Sequence, residues 1–131
     1  MMLNKENRIN KDKDFDRAFK TGQSFYSQIL GAKLTKNGLE SNRFGILIST
    51  KISKKAVVRN HLKRQIREII RQESPLLKTG YDLVLITLNG IVDKNFQELT
   101  SSIRLVFNNL KLYQNPKQIA VIENLQKKIK K

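Results

Sequence analysis

"VVRNHLKRQIREIIRQ", residues 57–72, is the stretch on which the reading of the chain turns. At about 100° per residue, Val58, Leu62, Ile66 and Ile69 fall within an arc of roughly 80°, a stripe suited to burial. The same wheel sets Arg59, Asn60, Lys63, Arg64, Arg67 and Arg71 within roughly 140° of one another on the opposite side. Glu68 is the one acid of the stretch. Solvated helix faces normally mix signs so that residues i and i+4 attract, whereas Arg59, Lys63 and Arg67 stack like charges at that spacing. The arrangement costs stability in isolation, and a polyanion laid along the face removes that cost. Four guanidinium groups offer forked donors matched to phosphate oxygens, and Asn60 adds a neutral donor and acceptor among them.

The rest of the chain carries the same bias. Its 131 residues hold 26 Lys and Arg against 11 Asp and Glu, a formal charge of +15. Self-repulsion of that size points to a polyanionic partner, nucleic acid first. An anionic membrane surface would attract the same charge, but no run approaches the roughly 18 apolar residues of a membrane span. The start, "MMLNKENRINKDKD", has no apolar stretch of the signal-peptide kind. Cysteine is absent, which removes disulfides, thiol catalysis and thiolate metal sites together. A cytoplasmic protein with no obligate protein partner is the expectation.

Outward from the basic helix, the length suits one compact domain. "RINKDKDFDRAFKTGQS" predicts a short helix with acids in its first turn and Lys20 and Gly22 closing it, with Phe15, Ala18 and Phe19 on one side. "SFYSQILGAKLTKNGLESNRFGILIST" predicts β-structure turning at Asn37-Gly38, with Leu30, Ala32 and Leu34 on one face. The basic helix should end near Ser74-Pro75, because a residue before proline avoids helical angles. "YDLVLITL", residues 81–88, has the apolar continuity of a strand buried on both sides. Phe96, Leu99, Ile103, Val106, Phe107 and Leu110 recur at helical spacing and predict a core-covering helix. Residues 114–131 read as a separate basic extension, helix or tail, beyond a domain spanning residues 1–113.

Arg59-Asn60, Lys63-Arg64 and Arg67-Glu68 spell R-N-x-x-K-R-x-x-R-E, preceded by Ala56-Val57. Asn7-Arg8-Ile9, Asp14-Phe15, Phe19-Lys20-x-Gly22, Arg43-Phe44-Gly45 and Lys51 before it, and Tyr81-Asp82 after it, fall in matching order, so that from about Arg8 to about Tyr113 the chain resembles the protein subunit of bacterial ribonuclease P. The resemblance implies an α+β sandwich: a mixed sheet of about four strands, three core helices and a left-handed β-α-β crossover, against the usual right hand. It also implies a function. That subunit assists a catalytic RNA in removing the 5′ leader from precursor transfer RNA, a reaction using Mg²⁺ bound mainly by RNA and substrate. By position, Arg59, Asn60, Lys63, Arg64 and Arg67 match the RNA-facing motif, with Lys51, Lys54, Lys55, Arg71 and Arg8 adding charge. Phe15 and Phe19 match the aromatics that border the leader cleft. Lys33 lies near a strand position often aromatic in relatives, and His61 replaces a common second Arg.

Other chemistry is weaker. Asp12, Asp14 and Asp16 open like a calcium loop, but Arg17 stands where glycine is needed and Gln23 where glutamate is. His61 is the only histidine and sits among phosphate-type residues, so an independent acid-base centre is not expected. Asp82 at the mouth of its strand reads as a turn or capping group. The competing functions are a ribosomal or general RNA-binding structural protein and a membrane-surface or DNA-coating protein acting through charge alone.

Overall fold

The computed structural model describes residues 8, 9 and 12–115. The chain runs α1 (Asp12–Thr21), β1 (Gln23–Tyr26), β2 (Leu30–Lys36), β3 (Arg43–Leu47), α2 (Ala56–Glu73), β4 (Tyr81–Thr87) and α3 (Phe96–Asn109). The strands form one sheet in the order β1-β2-β4-β3. β1 and β4 run antiparallel to β2, and β3 runs parallel to β4. Most of the extension, residues 116–131, lies outside the described residues, as do residues 1–7, 10 and 11.

The period-two pattern sorts the two faces of the sheet. Leu30, Ala32, Leu34, Phe44, Leu83 and Leu85 join Leu62, Ile66, Ile69 and Ile70 of α2 and Leu99, Ile103, Val106 and Phe107 of α3 in one core. Val84 turns to the other side and packs with Ile9, Ala18, Phe15 and Ile86 under α1. Strand β4 is therefore buried on both faces, as its unbroken apolar run requires. Its neighbours in the main core, Ile66, Ile69 and Ile70, have no exposed surface, and truncating any of them to Ala should cost about 2–5 kcal/mol. Two expected core positions lie elsewhere. Val58 is only half-buried, and Phe96, at the first turn of α3, is exposed because the helix enters from the solvent side.

Helix α2 joins the parallel pair β3 and β4, and L-chirality fixes the hand of that crossover. The Phe44 carbonyl accepts from the Ile9 N–H at 3.0 Å, on the edge away from β4. Its side chain packs toward α2. For an L-residue drawn with the strand upward and the side chain toward the viewer, N–H and C=O point right. With α2 in front, β4 therefore lies to the left of β3, and the connection is left-handed, as the resemblance implied and against the usual hand.

Helix ends follow their local chemistry. Asn95 and Glu98 form a reciprocal capping box on α3. α2 stops at Glu73, and Ser74, Pro75 and Leu76 tighten into a 3₁₀ turn. Glu73 is buried and accepts from Arg104 Nε and from the Tyr113 hydroxyl, each at 2.8 Å, tying the end of α2 to α3 and to the segment after it.

Candidate nucleic-acid interface

The cationic face of α2 survives folding largely intact. Lys63, Arg64 and Arg67 form no ion pair with a carboxylate among the described residues, and Asn60 and Arg64 are exposed. Arg59 turns back to donate to the Ser53 carbonyl at 2.7 Å. Arg71 differs from the others. Its guanidinium grips Glu68 through two hydrogen bonds of 2.6 and 3.0 Å, so part of its charge is spent inside the helix. The same contact holds the Glu68 carboxyl at about 2.

The start of α2 is equally unusual. Lys55 occupies the N-cap with no side-chain cap, and the first turn carries no acid. The positive end of a helix dipole favours acids and capping oxygens. α1 has Asp12 and Asp14 in that place, and α3 has its capping box. α2 instead presents exposed Lys51, Lys54 and Lys55, along with Val57, which is 80% exposed. Free N–H groups surrounded by cations are what an incoming phosphate requires.

Lys63 and Arg67 also reach a second feature. Together with Arg8, Phe15, Gly45 and Ile46 they line a cleft of about 220 Å³ at the β3 edge, between α1 and α2. The sequence suggests two separate surfaces, a basic helix and an aromatic cleft, and the fold joins them at these two side chains. Phe15 packs closely against the strand: a Cβ at Gly45 would come within 2.6 Å of its ring, so the approach calls for glycine there. Burial lowers the pKa of Arg67, and the neighbouring Arg8 cation lowers it further. An anion bound in the cleft would offset both effects by its opposite charge.

The helix that carries Phe15 is fastened by a network the sequence hid. Asp82, expected as a turn or capping group, is instead fully buried at the start of β4. It accepts from Arg43 Nε at 2.9 Å and Nη2 at 2.7 Å, from Arg17 at 3.2 Å and from Asn37 at 3.0 Å. Arg43 also donates to Asp14 of α1 at 3.2 Å, and its pKa is raised chiefly by the bond to Asp82. Asp14 and Asp82, which share Arg43, lie 68 positions apart in the chain, a distance no local motif spans.

Phe19, one turn further along α1, is 40% exposed. On the α1 side of the sheet, Lys33 donates to Ser24 Oγ at 3.2 Å and places its ammonium 5.6 Å from the centre of the Tyr26 ring. The ring lies against the backbone at Gly31, in space a Cβ there would fill, and is 52% exposed. Tyr26 went unremarked in the sequence because nothing local says that β1 will set it beside Lys33, which the register Tyr26↔Gly31 and Ser24↔Lys33 does. His61 is exposed on α2. Among the described residues no group of three or more His, Cys, Asp or Glu side chains could hold a metal ion, and no helix is long and apolar enough to cross a membrane.

Comparison with known proteins agrees with this geometry. The Ribonuclease P family model matches residues 3–111. A ribonuclease P protein component from Clostridium botulinum is 38% identical over 100 residues, covering 76% of this chain and 89% of that one. One from Clostridium acetobutylicum is 39% identical over 106 residues, covering 79% and 88%. The Staphylococcus aureus RNase P protein superposes with a TM-score of 0.77 at 28% identity, covering 82% of this chain and 98% of that structure. With that span, those identities and a shared fold, the chain belongs to the ribonuclease P protein family, as the accessory protein subunit that joins the RNA subunit of this ribonucleoprotein endoribonuclease.

Proposed function

We propose that the two surfaces divide the work of the subunit. Arg59, Asn60 and Arg64, with Lys51, Lys54 and Lys55 at the open start of α2, contact the backbone of the RNA subunit. The cleft of Phe15, with Phe19, Lys33 and Tyr26 beyond it, takes the single-stranded 5′ leader of precursor transfer RNA. Lys63, Arg67 and Arg8 lie where the two meet and carry leader phosphates. Arg71 contributes less, because Glu68 already holds it.

The observation that carries the reading is the junction itself, an aromatic cleft walled by cations, of which Lys63 and Arg67 form no ion pair with a carboxylate among the described residues. Half-exposed rings resting on backbone offer a face to an unpaired base, worth about 1–3 kcal/mol per stacked base. Adjacent Lys and Arg fix the phosphates without reading sequence. In this reading the Mg²⁺ ions of hydrolysis are held by phosphate oxygens of RNA and substrate. The chain's own residues act by binding: they neutralise backbone charge where two RNAs and divalent ions must come together, which lowers the Mg²⁺ concentration the reaction needs.

Reconstitution with the RNA subunit at low Mg²⁺ tests this. The intact chain should stimulate cleavage of precursor transfer RNA, and Phe19→Ala and Tyr26→Ala should each narrow the preference for leader-bearing over leaderless substrate by roughly 5- to 100-fold while leaving affinity for the RNA subunit unchanged. Arg64→Ala should do the converse. Variants that behave alike would overturn the division of surfaces.

A further inference from the structure

A second cationic basin lies on the face of the sheet opposite α1, below the end of α3. Its volume is about 470 Å³, and Lys36, Lys78 and Lys111 stand around a floor of Leu34, Leu110 and the half-buried Tyr81 ring. The three lysines come from three places in the chain: the last residue of β2, the connection from α2 to β4, and the turn after α3. All three are exposed and none has an ion pair among the described residues. No acid lines the basin. Asp82, next to Tyr81 in sequence, points to the other face and is consumed by Arg43 and Arg17.

We infer that this basin is a second phosphate-binding surface for RNA, separate from both the α2 face and the leader cleft. Lys111 sits at φ +57°, a left-handed conformation at the end of α3 that Gly or Asn would adopt at lower cost. A cation there complements the carbonyl end of the helix, but that accounts for Lys111 alone and not for Lys36 or Lys78. Three like charges held around one hollow repel one another, and a polyanion is the partner that removes the repulsion. Compact ammonium groups act as point charges and suit phosphodiesters of any sequence. The Tyr81 ring and the two leucines provide an apolar floor for a sugar edge. A strand bound here would cross the end of the sheet where β1 begins and β2 ends, beside the C-terminal end of α3, whereas α2 presents its charges at the β3 edge. The RNA subunit and the body of the precursor share this chemistry.

The inference rests on the proposed function, and its test separates the two. The variant Lys36→Gln/Lys78→Gln/Lys111→Gln of the full chain changes only exposed side chains, and its thermal midpoint should match the parent's. Binding to the RNA subunit, and binding of the reconstituted holoenzyme to precursor transfer RNA, are measured from 50 to 200 mM salt. Each lost contact should make the fall in affinity about threefold shallower over that range. A shallower fall of roughly 10- to 30-fold is expected in one arm, which names the RNA concerned, while the preference for leader-bearing substrate stays unchanged. Since the chain has no cysteine, a single Lys78→Cys carrying an iron chelate should cleave an RNA segment different from that cut by Asn60→Cys. If Arg64→Ala alters the salt dependence and the triple variant alters neither arm, the basin does not bind RNA. If Arg64→Ala has no effect, the proposed function falls first.

Discussion

Asp82→Asn is the sharpest probe of how the fold positions its cleft. The carboxylate is fully buried and accepts four hydrogen bonds, two of them from Arg43. An Asn side chain keeps one oxygen for Arg43 Nε and Asn37 but turns an NH₂ toward Arg43 Nη2 and Arg17, setting donor against donor. Arg17 is 43% exposed and its share is largely screened by water. Arg43 is 19% exposed at its side chain and retains only Asp14 as an acidic partner. Removing one member of a buried pair costs about 3–5 kcal/mol, and the remaining acceptor and the surviving Asp14 contact put the expectation near the lower end, about 3 kcal/mol. For a domain of this length that corresponds to a fall in thermal midpoint of roughly 10–15 °C, read by circular dichroism on the free protein. At a temperature where both proteins are folded, the variant should also lose leader preference, because the network holds the helix that carries Phe15 and Phe19. Combining Asp82→Leu with Arg43→Met should recover much of the stability, since apolar replacement of a whole buried pair is often near neutral. A loss below about 1 kcal/mol, the size of an exposed ion pair, would refute the clasp.

Two further outcomes follow from the same geometry. Gly45→Ala sets a Cβ 2.6 Å from the Phe15 ring; it should cost about 1–3 kcal/mol by overpacking and reduce leader preference, with binding to the RNA subunit little changed, checked by melting and by competition between leader-bearing and leaderless substrates. Glu68→Gln should release Arg71 and strengthen RNA binding, most visibly at low salt in a binding titration. The Glu68 carboxyl is held at about 2 by Arg71, below its unfolded value, so the pair stands at neutral pH and is lost only as pH falls through about 2. The parent should therefore gain no such affinity between pH 5 and 8, and a rise there would contradict the assignment.

Local patterns carried most of the fold. The stripe of Leu62, Ile66 and Ile69, the alternation of Leu30, Ala32 and Leu34, the Ser74-Pro75 stop and the apolar run of β4 each follow from side-chain periodicity or backbone restriction, which short windows reveal. The hand of the crossover did not, because it depends on which edge of β3 meets β4, and only the family resemblance supplied it. Residues at the cleft divide the same way. Phe15, Lys63 and Arg67 were legible from their motifs, but their meeting at one cleft was not, nor was the burial of Asp82. Both depend on register between elements remote in sequence. Tyr26 was missed for that reason: its neighbour Lys33 lies across a strand pair, and the sequence signal at Lys33 was an absent aromatic, not a replacement nearby.

The central claim is that like charges crowded along α2 are tolerated because the backbone of a specific RNA neutralises them. The most direct measurement is the affinity of the purified chain for the ribonuclease P RNA subunit and for an unrelated structured transcript of equal length, at near-physiological salt, with Arg64→Ala alongside. Tighter binding to the ribonuclease P RNA is expected, with the preference reduced and the salt slope flattened by about one phosphate contact in the variant. Equal affinity for the two transcripts would contradict it.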